Sequence, residues 1–265
     1  MMEKKITKIE VQKNNKERFN LYINGEFFAG IDAATYVHFN LKKDLILTDE
    51  MLIKIGEYDG YRVAINKAIQ YLSYKKRTEK EVRDYLMKLE VNPQAIDKAI
   101  EYCKVNGYIN HEDYCISFMN TMLNTTDKGP VIFAQKLKEL GVEQNLIDNY
   151  SYQFETEVTK ERIDKIAAKI TRKYEKKQSA RMIQQKIMQT LIQKGYNLDI
   201  ANDALKNVKI ETNEDALKKN LEKEVNRLAR KHEGFELKQK VIQSMMRKGF
   251  EYDIIIERLK DSGLE

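Results

Sequence analysis

Apolar and polar residues alternate along "RFNLYINGEFFAGI" (residues 18–31), with Phe19, Leu21 and Ile23 on one face. Period two marks a strand, because successive side chains point to opposite faces of a sheet. Asn24-Gly25 interrupts the run. It suits a two-residue hairpin turn, since both turn positions need a positive φ that Asn and Gly tolerate best. "ITKIEVQ" (6–12) offers a partner strand through Ile9 and Val11. The pattern predicts a small antiparallel sheet of about three strands, too small to stand alone, packed on the helices that follow it.

From about residue 48 the period lengthens. Ile65, Ala68, Ile69 and Leu72 fall at helical spacing, as do Tyr114, Phe118 and Met122 with Cys115 and Met119 beside them. Ile163, Ile166, Ala167, Ile170 and Tyr174 form a further stripe, and Leu217, Leu221, Val225 and Leu228 another. Each stripe can bury one face of a helix.

The helical part also repeats itself. "LIQKGYNLDIANDAL" (191–205) returns 54 residues later as "MMRKGFEYDIIIERL" (245–259), keeping the Lys-Gly-aromatic step. Aligning earlier segments places Glu90, Gly141, Gly195 and Gly249 in one column, at intervals of 51, 54 and 54. Glycine ends helices because it enters the left-handed region without steric cost. The column therefore predicts the end of a second helix and the start of a third in every unit. Glu90 departs from it, although Asn92-Pro93 can also stop a helix. Thr78 and Glu81 in "RTEKEV" have the spacing of a capping box. The fold expected is mainly α: four tandem three-helix repeats forming an elongated, curved solenoid after a small antiparallel β extension. The boundaries are 1–47 for the extension and 48–109, 110–155, 156–210 and 211–265 for the repeats.

Charge changes this picture more than composition does. The net charge is +6, but Lys plus Arg less Asp plus Glu gives −1 over 1–60, +4 over 61–109, −4 over 110–155, +7 over 156–210 and zero over 211–265. Two separated basic blocks suit a polyanionic partner; lysine-rich faces that are merely solvated give the same count. No apolar run approaches the roughly 18 residues that span a bilayer. "MMEKKITKIEV" lacks a signal-peptide core, so no membrane association and a cytoplasmic location are expected. Two cysteines make no disulfide framework.

Catalytic signals are missing. Neither GxxxxGK[ST] nor GxGxxG occurs, and His38, His111 and His232 lie far apart outside any HExxH. Cys103, His111 and Cys115 carry zinc-ligand chemistry, but their spacing fits no common template, and Cys115 belongs to an apolar stripe. The reading is a binding protein with no catalytic residue, no metal and no cofactor. The candidate contacts are Lys75, Lys76 and Arg77 in "YKKR", and Arg172, Lys173, Lys176, Lys177 and Arg181 in "RKYEKKQSAR". Both clusters occupy the turn from a long first helix into a second, where lysines and arginines could track phosphates without reading sequence. Tyr74 and Tyr174 beside them could stack on bases or cap the apolar stripe. The equivalent turn is weaker at "RKHEGFE" (230–236) and nearly uncharged at "NTTDKGP" (124–130).

"YLSYKKRTEKEVRDYL" (71–86), "GYINHEDYCISFM" (107–119) and "KGPVIFAQKLKELGV" (128–142) resemble the signature of the bacterial RecX family. The N-terminal segment resembles the β-rich extension of its longer members. His111 departs from the family, which more often has Asp after the "GYI" stretch. The resemblance implies a modulator, usually an inhibitor, of the RecA recombinase, and a monomer is expected. It would bind the RecA filament on single-stranded DNA and suppress its ATP hydrolysis and strand exchange in recombination, DNA repair and the SOS response. Two other classes fit the residues alone: a stand-alone nucleic-acid-binding repeat protein, and an interaction scaffold with solvated basic corners.

Overall fold

Asn24 and Gly25 take φ values of 50° and 89° in the computed structural model, which describes residues 3–208, 210–211 and 213–261. Both positive values give the hairpin turn that the Asn-Gly pair predicts. It joins β2 (Arg18–Ile23) to β3 (Glu26–Asp32), and β2 pairs on its other side with β1 (Lys4–Val11). The Asn24 side chain accepts from the Lys5 backbone N–H and donates to the Glu3 carbonyl, so the turn also clips β1. A two-residue strand, β4 (Ile46–Leu47), extends the sheet to the order β3-β2-β1-β4. The segment before it contains a short helix, α1 (Ala33–His38), capped by Asp32. Neither β4 nor α1 has enough residues to show a period in sequence.

The sheet packs on the first long helix, α2 (Asp49–Ser73), which contributes Ile55 to a core of Ile6, Leu21, Ile23, Ile31, Leu41 and Leu47. A polar seam reinforces that contact. Asp59 of α2 accepts from the Asp32 backbone N–H and from Thr35, and Asn66 donates to Asp32. Farther along, α2 supplies Ala64, Ile65 and Ala68 to a core shared with α3 (Glu79–Lys88) and α4 (Pro93–Val105). Thr78 and Glu81 form the expected capping box: Thr78 Oγ1 accepts from the Glu81 N–H, and the Glu81 carboxylate accepts from the Thr78 N–H.

The next helices are α5 (His111–Thr125), α6 (Pro130–Glu139) and α7 (Gln144–Glu157), with Phe118, Phe133 and Phe154 in ring contact. Then α8 (Lys160–Tyr174), α9 (Ala180–Gln193) and α10 (Leu198–Asn207) enclose the third helical core, built on Ile163, Ile166, Ile183, Ile187 and Leu191. The last trio is α11 (Glu214–Leu228), α12 (Gly234–Arg247) and α13 (Tyr252–Asp261), packed around Leu217, Leu221, Val241 and Met245. Contacts gather the chain into two compact units, Met1–Ile116 with Lys138–Leu146, and Ser117–Leu137 with Ile147–Glu265.

The glycine column has a physical cause beyond helix termination. Glu90, Gly141, Gly195 and Gly249 all adopt positive φ (56°, 76°, 85° and 80°) just past α3, α6, α9 and α12. The three glycines also lie against the start of the second helix of the preceding trio. A Cβ on Gly141 would come within 3.1 Å of Lys80, one on Gly195 within 2.8 Å of the Ile132 backbone, and one on Gly249 within 2.8 Å of Ser179 Oγ. Hydrogen bonds close the same joints. Gly129 N–H donates to the Lys194 carbonyl at 2.7 Å, Val131 N–H to the Gly195 carbonyl at 3.1 Å, and Ser179 Oγ to the Lys248 carbonyl at 2.7 Å. Glu90 belongs to the first trio, which has no preceding trio to lie against, so it has no such joint to make. It needs the left-handed backbone and not the missing Cβ.

Candidate nucleic-acid interface

Each trio turns from its first helix into its second through a short corner, and the four corners carry different chemistry. In the first, Tyr74 caps the end of α2, and Lys75, Lys76 and Arg77 lead to the Thr78 cap. Lys75 faces Glu81 at 3.8 Å, and Lys76 pairs with Asp113. Both lysines are at least half exposed, so these are surface pairs that salt or a phosphate can replace. Arg77 is different. Its guanidinium lies 3.6 Å over the Tyr71 ring, its Nε donates to the Tyr71 carbonyl, and its side chain is 14% exposed. Tyr71 in turn stacks on Tyr85 at 3.9 Å. Such a stacked, hydrogen-bonded arginine holds the corner's shape, and it is not presented to a ligand.

The third corner gathers the five remaining candidates. Arg172 and Lys173 occupy the last turn of α8, Lys176 and Lys177 the linker, and Arg181 the first turn of α9. All five are exposed, and among the described residues none forms an ion pair. The two on α8 gain from the negative end of the helix dipole, typically 0.3–1 kcal/mol each. That accounts for two positive charges at this corner and leaves three without a local partner. Ser179 caps α9 and is buried, so the backbone beneath the cations is fixed.

The two tyrosines separate. Tyr174 packs on the apolar core of its trio, with the Lys173 and Lys186 ammonium groups 5.3 and 5.0 Å from its ring. It caps the apolar stripe. Tyr74 is 76% exposed, which leaves its ring free to stack. At the fourth corner Arg230 and Lys231 are exposed, Phe235 is 72% exposed, and His232 pairs with Glu236.

The second corner explains its own lack of charge. Arg162 of α8 turns into it and donates to the carbonyls of Leu123, Thr126 and Lys128, and to Tyr196 Oη at 2.9 Å. Tyr196 Oη donates onward to the Asp127 carbonyl. The arginine thus satisfies the Leu123 carbonyl in the last turn of α5, beyond the reach of helical N–H groups, and two carbonyls of the linker after it. Sequence reading passed over Arg162. Its partners are backbone carbonyls and one tyrosine hydroxyl, which no residue pattern announces.

Cys103 and Cys115 are buried, and burial pushes both thiols up to about 11. Cys103 sits in the apolar core of the first trio. His111 is also engaged: its Nε2 accepts from the Glu79 N–H at 3.0 Å, and its Nδ1 lies 2.7 Å from Glu143. Because Nε2 accepts, the proton sits on Nδ1 and points at the carboxylate. No helix among the described residues is long and apolar enough to cross a membrane.

Comparison with known proteins bears on the same segments. Residues 4–48 match the regulatory protein RecX N-terminal domain, and 64–103 match the first three-helix domain of RecX. Its third three-helix domain matches twice, at 159–205 and 212–257, which is the internal echo seen in sequence. The chain is 50% identical to a regulatory protein RecX of Staphylococcus haemolyticus and 45% identical to one of Staphylococcus carnosus, over 98% of each chain. A crystal structure of regulatory protein RecX is similar at 31% identity and a TM-score of 0.68, over 75% of this chain and 97% of that one. A crystal structure of RecX from Lactobacillus salivarius is similar at 31% identity and a TM-score of 0.52, over 56% and 96%.

Proposed function

Because the chain belongs to the RecX family of regulatory proteins, we propose that it modulates the RecA recombinase, binding the RecA filament on single-stranded DNA and inhibiting its ATP hydrolysis and strand exchange. The observation that carries the DNA part of this reading is the α8–α9 corner, where Arg172, Lys173, Lys176, Lys177 and Arg181 stand exposed on a backbone fixed by a buried cap. Like charges crowded together repel, and beyond the helix-dipole gain of Arg172 and Lys173 the fold offers these five no charged partner among the described residues. A phosphate backbone neutralises them and releases condensed counterions, which gives affinity without sequence preference. Lys75 and Lys76 at the first corner are the secondary contacts, with Tyr74 free to stack on an unpaired base. Arg77 supports that corner from within. The protein works as a cytoplasmic monomer without a cofactor or catalytic residue, by occupying the filament.

Anisotropy of a labelled single strand, alone and coated with RecA, tests this reading. Tighter binding to the coated strand than to the naked one is expected. Equal affinity for both would favour a stand-alone nucleic-acid-binding protein. Binding to RecA that ignores both DNA and salt would favour an interaction scaffold.

A further inference from the structure

Three glycine joints link successive trios, and they differ in charge. Two positions before each second-helix cap stand Lys76, Asp127 and Lys177. Two positions before the facing glycine stand Glu139, Gln193 and Arg247. The middle joint is neutralised by an ion pair between Asp127 and Lys194 at 3.3 Å. The last joint sets lysine against arginine. Both are exposed, and among the described residues neither forms an ion pair. Placing like charges across a joint weakens it; Arg247, in the last turn of α12, recovers part of that from the helix dipole, whereas Lys177 in the linker has no such compensation.

The two cations line one cavity of about 250 Å³. Its other walls include Ser179, Asn220 and Lys248, and Phe250, 4% exposed, also lines it. Lys248 is committed elsewhere, 2.6 Å from the buried Glu224 carboxylate, so the free charge is that of Lys177 and Arg247. The volume falls below the ~300–1,000 Å³ typical of cofactor and drug-sized sites, and suits a single small anion. The start of α9, with its partial positive charge, opens at the same place.

We infer that this notch between the third and fourth trios is a phosphate seat, in which Arg247 and Lys177 together hold one phosphodiester group of the single-stranded DNA backbone. The inference rests on the proposed DNA contact of the α8–α9 corner and extends it. Arg247, from the fourth trio, becomes a contact residue. The DNA site is then complete only when the two trios are joined, since Ser179 and Gly249 close the joint beside the seat. The guanidinium suits a phosphate because it can donate two parallel hydrogen bonds.

The test measures binding of labelled oligo(dT) to the full chain by anisotropy at several salt concentrations. Three variants are compared with the parent: the double variant K177Q/R247Q, the charge-conserving R247K, and the corner variant K173E/K176E, which leaves the notch untouched. Each lost phosphate contact should flatten the slope of log affinity against log salt by about 0.7. K177Q/R247Q should therefore flatten it by about 1.4 and weaken binding roughly 25-fold at 0.1 M salt, while R247K keeps the parental slope. Melting temperature should change little in K177Q/R247Q, because the repulsion removed offsets the helix-dipole gain that Arg247 gives up; a fall of more than about 4 °C would assign these cations to the fold and overturn the seat. If K173E/K176E flattens the slope and K177Q/R247Q does not, the seat is wrong and the corner contact stands. If neither variant changes it, or the parent does not bind, both are wrong. Inorganic phosphate should weaken binding more than chloride does at matched ionic strength in the parent, and no more than chloride in K177Q/R247Q; an equal phosphate effect in both would place the competed anion elsewhere and overturn the seat.

Discussion

Replacing Gly195 by alanine separates two demands that a glycine can answer. The first is backbone conformation: at φ 85° an alanine costs about 1 kcal/mol. The second is space. The new Cβ would stand 2.7 Å from Ile132 Cγ1 and 2.8 Å from the Ile132 backbone nitrogen, which cannot swing away as a side chain can. Relieving that contact means parting α6 from the Gly195 turn, and so losing the Gly129–Lys194 and Val131–Gly195 hydrogen bonds. At about 1 kcal/mol each, the total reaches about 3 kcal/mol. A unit of this size should then melt about 6–12 °C lower. Gly107 is the control, because it also has positive φ (72°) but nothing within 4 Å of its would-be Cβ. Gly107→Ala should cost only the conformational ~1 kcal/mol. Urea unfolding followed by circular dichroism compares the two. If Gly195→Ala costs no more than Gly107→Ala, the joint has no energetic role and the glycine column reports helix termination alone.

Further predictions concern charge and the ends of the chain. Glu224 is buried and accepts from Lys248, Arg227 and Ser244; burial opposes ionisation, but these bonds outweigh it and hold the carboxyl at about 2, against an ordinary 4.5. A depressed carboxyl stabilises the fold above its unfolded value, so about 3 kcal/mol should be present at neutral pH and fade as pH falls from about 4.5 to 2. Glu224→Gln should remove most of that acid sensitivity in melts recorded across this range. Changing Lys173, Lys176, Lys177 and Arg181 to Glu should flatten the salt slope by roughly 3, the value for four contacts to a single strand, with helical content unchanged; a parental slope would leave this corner merely solvated. Tyr196→Phe should cost about 1–2 kcal/mol in urea unfolding, because Arg162 Nε loses its acceptor in a part-buried site. Deleting residues 211–265 should leave a folded protein that inhibits RecA less, and full inhibition by a folded truncation would show the fourth trio to be dispensable.

What could be read in sequence was what short stretches decide. Asn24-Gly25, the Thr78–Glu81 box and the Lys-Gly-aromatic step act over two to five residues, and the structure has all three where the spacing puts them. Glu90 showed the limit of that logic. The column predicted a helix end, and the helix ends, but why glutamate suffices there depends on the absence of a preceding trio to touch. Arg77 and Lys76 are neighbours in one basic run, yet one stacks on Tyr71 and the other faces solvent. Composition cannot separate them, because the difference lies in a ring supplied from α2. Arg162 and Arg247 escaped for the same reason: each matters through residues far away in the chain, the carbonyls of α5 in one case and the α9 cap in the other. The short α1 and β4 carried no period to detect.

RecA-catalysed ATP hydrolysis on single-stranded DNA tests the proposed regulation of RecA most directly. Adding increasing amounts of this protein should lower the steady-state rate in a saturable way, at concentrations below those needed to bind the naked strand, and the four-residue charge reversal at the α8–α9 corner should weaken the effect. A rate that does not respond at any concentration, or that falls only when the protein coats the DNA before RecA can load, would contradict the account.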